Sequence, residues 1–173
     1  EEVKQALGGV DVMLREAPFW QLVLIIAVTP AICEELAFRG FILSGFRHLG
    51  HKWRAIFYSA LFFGVSHSIL QQSIIATVVG LVIGYLAVQS GSLVPGMLFH
   101  LVHNTLGVAA TRLTPRMLDE WPGLRYLFTV GPDREIGFPW WIVVFSVVLS
   151  IMLLYKFQHL PYAKTEEEEH HDA

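Results

Sequence analysis

A long stretch without charged side chains restricts what this chain can fold into. Between Arg54 and Arg112 lie 57 consecutive residues that include no Asp, Glu, Lys or Arg. A helix that crosses a bilayer needs about 20 mostly apolar residues, so this stretch has room for three short spans. Two further uncharged runs, residues 17–33 and 136–155, each provide one more span. We therefore predict an all-α, polytopic membrane protein with about five transmembrane helices.

The overall composition agrees with a membrane protein. Of the 173 residues, 54% are hydrophobic and 16% are charged, whereas about 25% charged residues is usual in soluble domains. The acidic run 166–169 inflates the net negative charge, so the charge identifies no partner, and nucleic acid is not indicated. The single cysteine, Cys33, cannot form an intrachain disulfide, and we interpret it as a small buried thiol.

Composition shifts along the chain predict five segments. They are an amphipathic linker at 1–17, a membrane core at 18–111, an interfacial loop at 112–137, an additional transmembrane helix at 138–157 and a disordered acidic tail at 158–173. Because the sequence starts without Met, we expect it to be part of a longer protein. The tight basic loop 46–54 contains no acid, so the positive-inside tendency predicts that this loop is cytoplasmic.

A charged motif, Glu-Glu-x-x-x-Arg, follows directly on the first uncharged run. A charged side chain at mid-membrane costs about 2.5 to 3.5 kcal/mol, so such a cluster is a functional hypothesis by default. On a helix, Glu35 and Arg39 are four residues apart with the acid first, and they can neutralise each other. Glu34 lies about 100° round the helix and needs a partner of its own. Taken alone, the motif is equally consistent with an ion pair that joins helices.

A proline lies one turn before this motif. Pro30 has no backbone N–H, so we expect a kink or a break in the helix at this point. In lipid, the carbonyl that loses its partner needs another donor, which favours a position that faces protein or a water-filled cavity.

Two later predicted helices carry the other polar side chains of the apolar block. Phe63 and His67 are four residues apart on one helix, and His100 and Asn104 have the same spacing on another. Residues with this spacing lie on one helix face. Three helices would therefore each supply one part of a polar site inside the bundle.

These side chains suffice for peptide hydrolysis, which needs a nucleophilic water and a stabilised oxyanion. Glu34 and His67 would hold and deprotonate one water. His100 and Asn104 would donate hydrogen bonds to the oxyanion. The ion pair of the charged motif would hold the backbone at Glu34 in place.

In their order and on their separate helices, the three motifs resemble the CAAX protease and bacteriocin-processing family (CPBP, or Abi). This family includes the type II CAAX prenyl endopeptidase, an intramembrane glutamic protease, and the resemblance covers about Phe19 to Thr111. It implies that Glu34 is the catalytic carboxylate, that His67 positions the water, and that His100 and Asn104 form the oxyanion site. It further implies a peptide or membrane-protein substrate, no cofactor, a bacterial cell membrane, and fusion to or association with an ABC-2 type transporter permease.

Two alternatives stay open at this point. A zinc-dependent membrane protease could use the nitrogen and oxygen ligands that zinc prefers, namely Glu34, His67, His100 and His103. Alternatively, the polar cluster could serve helix packing in a non-catalytic membrane domain of a transporter or an immunity system. Aspartyl and serine intramembrane proteases fit poorly, because the core contains neither a pair of aspartates nor a Gly-x-Ser-Gly motif.

Overall fold

The computed structural model describes residues 16–132, 136–162 and 164–172. Residues 1–15 of the predicted linker lie outside the described residues. The described chain is helical apart from one short antiparallel pair of strands, so the predicted all-α class is right except for this hairpin. The helices are α1 Phe19–Arg47, α2 Lys52–Val65, α3 Leu70–Ser90, α4 Val94–Ala110, α5 Pro115–Glu120, α6 Trp140–Phe157 and α7 Glu166–Asp172.

The five predicted spans correspond to α1, α2, α3, α4 and α6. In the described part of the chain, only α1, α3 and α6 are long and apolar enough to cross a membrane. Helix α2 has 14 residues, which corresponds to about 21 Å, whereas a bilayer core is about 30 Å thick. The structure therefore supports a helical membrane protein with three candidate spans, and five spans stay a prediction.

The described chain divides into two compact units. The first contains Leu106–His159 and the described residues before Trp20. Within it, α5 begins after Thr114, whose side chain accepts a hydrogen bond from the backbone N–H of Met117. A 3₁₀ turn, Pro122–Tyr126, and strands β1 (Thr129–Val130) and β2 (Ile136–Gly137) follow. The segment predicted as an interfacial loop thus contains regular structure.

The second unit contains Trp20–Thr105 and the described residues after His159. Here α2 packs closely on α3 through glycines. A Cβ at Gly80 would lie 3.1 Å from the Cα of Ala60, and one at Gly84 would lie 3.3 Å from Cγ2 of Ile56. Gly80 and Gly84 therefore allow close helix packing, which is how membrane helices associate without a hydrophobic driving force.

Helix α1 continues through Pro30, so of the predicted kink or break the break is wrong, and the kink stays a prediction. The helix contains two π-helical stretches, Val23–Val28 before the charged motif and Leu36–Leu43, which includes Arg39 of the motif. At the end of the first stretch, the N–H of Thr29 donates to the carbonyl of Leu24, five residues earlier. Wider turns of this kind absorb an irregular hydrogen-bonding pattern without ending the helix, and they are frequent at functional sites.

The tail predicted to be disordered contains a short helix, α7. Thr165 and Glu168 cap its first turn reciprocally: the N–H of Thr165 donates to Oε2 of Glu168 at 3.1 Å, and the N–H of Glu168 donates to Oγ1 of Thr165 at 3.3 Å. Glu168 is only 4% exposed because it also pairs with Arg47 at the end of α1. The difference from the prediction thus arises from a contact between residues far apart in the sequence.

Candidate active site

A fully buried ion pair lies at the centre of the second unit. Nη1 of Arg39 donates to Oε1 of Glu35 at 2.8 Å, and neither side chain is exposed. Nη2 of Arg39 donates to the carbonyl of Gly80 on α3 at 3.1 Å. The guanidinium also lies 4.5 Å from the centre of the Phe63 ring on α2. Arg39 therefore joins α1, α2 and α3, and Glu35 supplies its counter-charge.

His100 of α4 connects the two carboxylates of the motif. Its Nδ1 lies 3.1 Å from Oε1 of Glu35 and must be the donor, because a carboxylate accepts. Its Nε2 lies 3.8 Å from Oε2 of Glu34, too far for a direct hydrogen bond. If His100 is protonated, it and Arg39 balance the charges of both carboxylates.

The two glutamates have different surroundings. The side chain of Glu35 is buried, whereas that of Glu34 is 34% exposed. The carboxylate of Glu34 is thus accessible to water, whereas Oε1 of Glu35 is bonded to both Arg39 and His100. The adjacent Cys33 is exposed, so its interpretation as a buried thiol was wrong.

His67 follows the end of α2, where its backbone N–H donates to the carbonyl of Gly64 and its ring is held by Phe63. The Nδ1 of His67 lies 2.8 Å from the carbonyl oxygen of Phe63 and donates to it. In the neutral ring, Nε2 then carries the lone pair and can accept a proton. The buried Phe63 ring contacts the rings of both His67 and His100 edge-on, with centroid distances of 5.0 and 5.8 Å.

Asn104 supplies the donor that Pro30 lacks. In a regular helix the N–H at position 30 would bond to the carbonyl of Ile26, four residues earlier. Instead, Nδ2 of Asn104 donates to this carbonyl oxygen at 3.1 Å. The prediction that the carbonyl released by Pro30 would find a protein donor is therefore confirmed, and the same contact fixes the side chain of Asn104 next to α1.

A cavity of about 270 Å³ lies between α2, α3 and α4. One wall is an apolar stripe of α3 with helical spacing, and the polar groups come from Gln72 at the start of α3, from His67 after the end of α2, and from α4. The residues that line the cavity are Phe63, His67, Gln72, Ile75, Ala76, Val79, His100, His103 and Asn104. Three of the four predicted catalytic residues therefore face one space, and the fourth, Glu34, is outside its lining but next to His100.

The predicted zinc ligands do not form a metal site. Among the described residues, no three His, Cys, Asp or Glu side chains come together in a group that could hold a metal ion. His103 lines the cavity, but its ring stacks on Phe99, parallel within 5°. The donor set required for zinc is therefore not assembled in the described part of the chain.

The sequence analysis missed one residue next to the ion pair, Gly96. A Cβ at this position would lie 2.8 Å from Cγ2 of Ile83 and 3.2 Å from Oε2 of Glu35. This buried oxygen has no hydrogen-bond partner within the described residues. Gly96 precedes His100 by four residues, so a glycine on the same face as a site histidine was a signal that could have been used.

Comparison with known families identifies the family of the chain. A family model described as type II CAAX prenyl endopeptidase Rce1-like matches residues 16–106, which is more than half of the chain. The match includes all three motifs and the helices that carry them. Neither a curated protein nor a solved structure matches the sequence.

Proposed function

Because the chain belongs to the type II CAAX prenyl endopeptidase (Rce1-like) family, a family of membrane proteases, we propose that it is a glutamate-dependent intramembrane endopeptidase. The observation that carries this proposal is the convergence of Glu34, His67, His100 and Asn104 from three helices around one cavity and its edge. If these side chains served only helix packing, none of them would need to face a space that is large enough for a substrate group.

In the proposed first step, a water is held between Nε2 of His67 and the carboxylate of Glu34. Because Nδ1 of His67 is committed to the Phe63 carbonyl, Nε2 is free to accept a hydrogen bond from this water. The water oxygen bonds to the carbonyl carbon of the scissile peptide while its proton passes to Glu34. When the C–N bond breaks, Glu34 returns that proton to the leaving amine nitrogen.

The developing oxyanion would be stabilised by His100 and Asn104. One amide N–H of Asn104 is used by the Ile26 carbonyl, which leaves the second N–H for the substrate. His100 donates through Nδ1 to Glu35, so its protonated ring offers Nε2–H to the oxyanion. Donors that are fixed before the reaction stabilise such a charge without reorganisation, and the loss of one costs about 10²- to 10³-fold in kcat.

Substrate and location remain part of this proposal. A peptide segment or a membrane protein is the substrate class that the cavity and the bilayer setting favour. We place the protein in a bacterial cell membrane with residues 46–54 on the cytoplasmic side, because this loop contains only positive formal charges. Association with an ABC-2 type permease stays a prediction from the resemblance.

The proposal is tested by comparing protein termini in membranes that contain the intact chain or the Glu34→Gln variant at matched levels. Arg116→Gln, a change at an exposed ion pair of the other unit, is the control. We expect new termini with the intact chain and with the control, both in the presence and in the absence of a zinc chelator. With Glu34→Gln we expect no new termini under either condition. Termini that disappear only with chelator would favour a metalloprotease, and identical termini in all samples would contradict a protease.

A further inference from the structure

A second cavity lies at the other end of the second unit, where α1 and α2 meet the tail. Its volume is about 360 Å³, within the range of about 300 to 1,000 Å³ that is usual for small-molecule sites. Lys52, Arg54 and His51 line it from the start of α2, together with Trp53. The tail contributes Tyr162 and Glu168, and Glu168 is the one acidic group in the lining.

Glu168 is held in this cavity as a carboxylate. Nη2 of Arg47 donates to its Oε2 at 2.9 Å and Nε donates to its Oε1 at 3.3 Å, so the guanidinium binds both oxygens. Burial raises the pKa of Glu168, but hydrogen bonds from Arg47 and from the N–H of Thr165, with the charges of Arg47 and Lys52, outweigh this and hold the pKa below its usual value. Glu168 is therefore ionised at neutral pH.

The tail is also attached beside Glu168. The ammonium of Lys52 lies 3.8 Å from the centre of the Tyr162 ring and donates to Oε1 of Gln89 at 2.8 Å. The amide nitrogen of the buried Gln89 donates to the carbonyl of Leu160. Lys52 of the cavity and the neighbouring Arg47 thus both contact the tail, Lys52 at Tyr162 and Arg47 at Glu168, and these contacts have defined geometry.

The arrangement around Glu168 matches phosphate recognition. A guanidinium that binds two carboxylate oxygens side by side presents the same paired donors that it would present to a phosphate. Arg47 is the last residue of candidate span α1, so these donors lie where a membrane helix ends. Trp53, exposed at the same end, is the type of side chain enriched at the membrane interface. Lipid phosphates lie at this level of a bilayer.

We propose that Arg47, Lys52 and Arg54 form a binding site for the headgroup phosphate of an anionic phospholipid, and that Glu168 occupies this site as an internal competitor. When the tail leaves, Arg47 loses its carboxylate partner and the cavity loses its one acidic group, so an anionic headgroup can enter. The proposal does not depend on peptide hydrolysis, because none of its residues contributes to the candidate active site.

The test uses the full chain in nanodiscs of phosphatidylcholine that contain a minor fraction of photoactivatable phosphatidylglycerol. Crosslinks to residues 47–54 are located and quantified by mass spectrometry. Glu168→Gln is compared with Glu169→Gln, which removes the same charge from an exposed position of the same helix. We expect Glu168→Gln to raise labelling about five-fold, because one additional basic residue near an anionic surface has an effect of this size. Glu169→Gln should leave the labelling unchanged.

The cations are tested in the Glu168→Gln background. Lys52→Gln should lower the labelling, and Lys52→Arg should retain it, which separates the loss of charge from a loss of fold. A photoactivatable phosphatidylcholine should label residues 47–54 weakly in every variant. Any of three results would overturn the proposal. The first is equal labelling in Glu168→Gln and Glu169→Gln, and the second is labelling that Lys52→Gln does not lower. The third is equal labelling by the neutral lipid.

Discussion

Two arginine–glutamate pairs in this chain have the same spacing and nearly the same geometry but opposite surroundings. In α1, Arg39 binds Glu35 at 2.8 Å with both side chains fully buried. In α5, Arg116 binds Glu120 at 2.7 Å with side chains that are 86% and 52% exposed. The contact distance therefore does not determine what an ion pair contributes to the stability of the fold. Breaking a buried pair leaves an uncompensated charge, whereas exposed pairs typically contribute about 0 to 1 kcal/mol.

A third pair lies between these extremes. Arg47 and Glu168 are 18% and 4% exposed and are 121 positions apart in the sequence. Unlike the two helical pairs, this one joins a tail to the body of the unit. We expect its loss to release the tail without unfolding the helices.

Among the single substitutions, the largest effect is expected from Arg39→Ala. This change leaves Glu35 buried without its cation, and breaking a buried pair in this way costs about 3 to 5 kcal/mol. Thermal unfolding of the purified protein in detergent measures the effect. Arg116→Ala is the matched control, since it breaks the exposed pair. Equal unfolding temperatures for the two variants would contradict the comparison.

The second-largest effect is expected from Gly96→Ala, which tests how closely the surrounding atoms pack around the buried pair. Gly96→Ala puts a methyl group 2.8 Å from Cγ2 of Ile83 and 3.2 Å from Oε2 of Glu35, and overpacking of this kind costs about 1 to 3 kcal/mol. Gly107→Ala, in the same helix but with open space at its Cβ, is the control. At Gly107, the better helix propensity of alanine should raise the stability of the protein by up to about 1 kcal/mol. Opposite shifts in unfolding temperature are expected, and shifts of the same sign would disprove the close approach at Gly96.

The pair between Arg47 and Glu168 should respond to acid. Because the pKa of Glu168 is held below its usual value of 4.5, the stabilisation of the docked tail is present at neutral pH. It is lost as pH falls through the lowered pKa, when the carboxylate becomes protonated. A spin label at position 169 should therefore become mobile in acid. With Glu168→Gln the label should be mobile at every pH, and a label that stays immobile in acid would contradict this role of the pair.

The smallest effect is expected when the two residues of the exposed pair exchange positions. Arg116→Glu combined with Glu120→Arg puts the acid first, which is the better order on a helix, so stability should change by at most about 0.5 kcal/mol. The same exchange at positions 35 and 39 would put an arginine beside His100 and remove the donor to the Gly80 carbonyl. It should therefore prevent folding. The yield of folded protein and the unfolding temperature of both double variants distinguish the two cases.

Much of the core could be predicted from local sequence patterns. The uncharged runs predicted the five apolar helices, and the four-residue spacing predicted the ion pair of Glu35 and Arg39. Each of these features depends on residues within one or two helical turns, where spacing alone determines which side chains share a face.

The features that escaped prediction depend on tertiary contacts. Spacing could not show that His100 would connect both glutamates, or that only one of them would be buried. Helix α1 could not be recognised as continuous, because the donor to the Ile26 carbonyl comes from Asn104, 78 positions later. The tail was predicted to be disordered from its composition, although Thr165 and Glu168 form a capping motif that is visible in the sequence.

The central claim is that the adjacent glutamates have different roles, with Glu34 as the base and Glu35 as a structural partner. The most direct measurement compares Glu34→Gln with Glu35→Gln for both cleavage of a membrane substrate and unfolding temperature. We predict that Glu34→Gln abolishes cleavage and keeps the unfolding temperature of the intact protein, whereas Glu35→Gln lowers the unfolding temperature strongly because Arg39 loses its counter-charge. A Glu34→Gln variant that still cleaves, or a Glu35→Gln variant that is fully stable but inactive, would contradict this assignment.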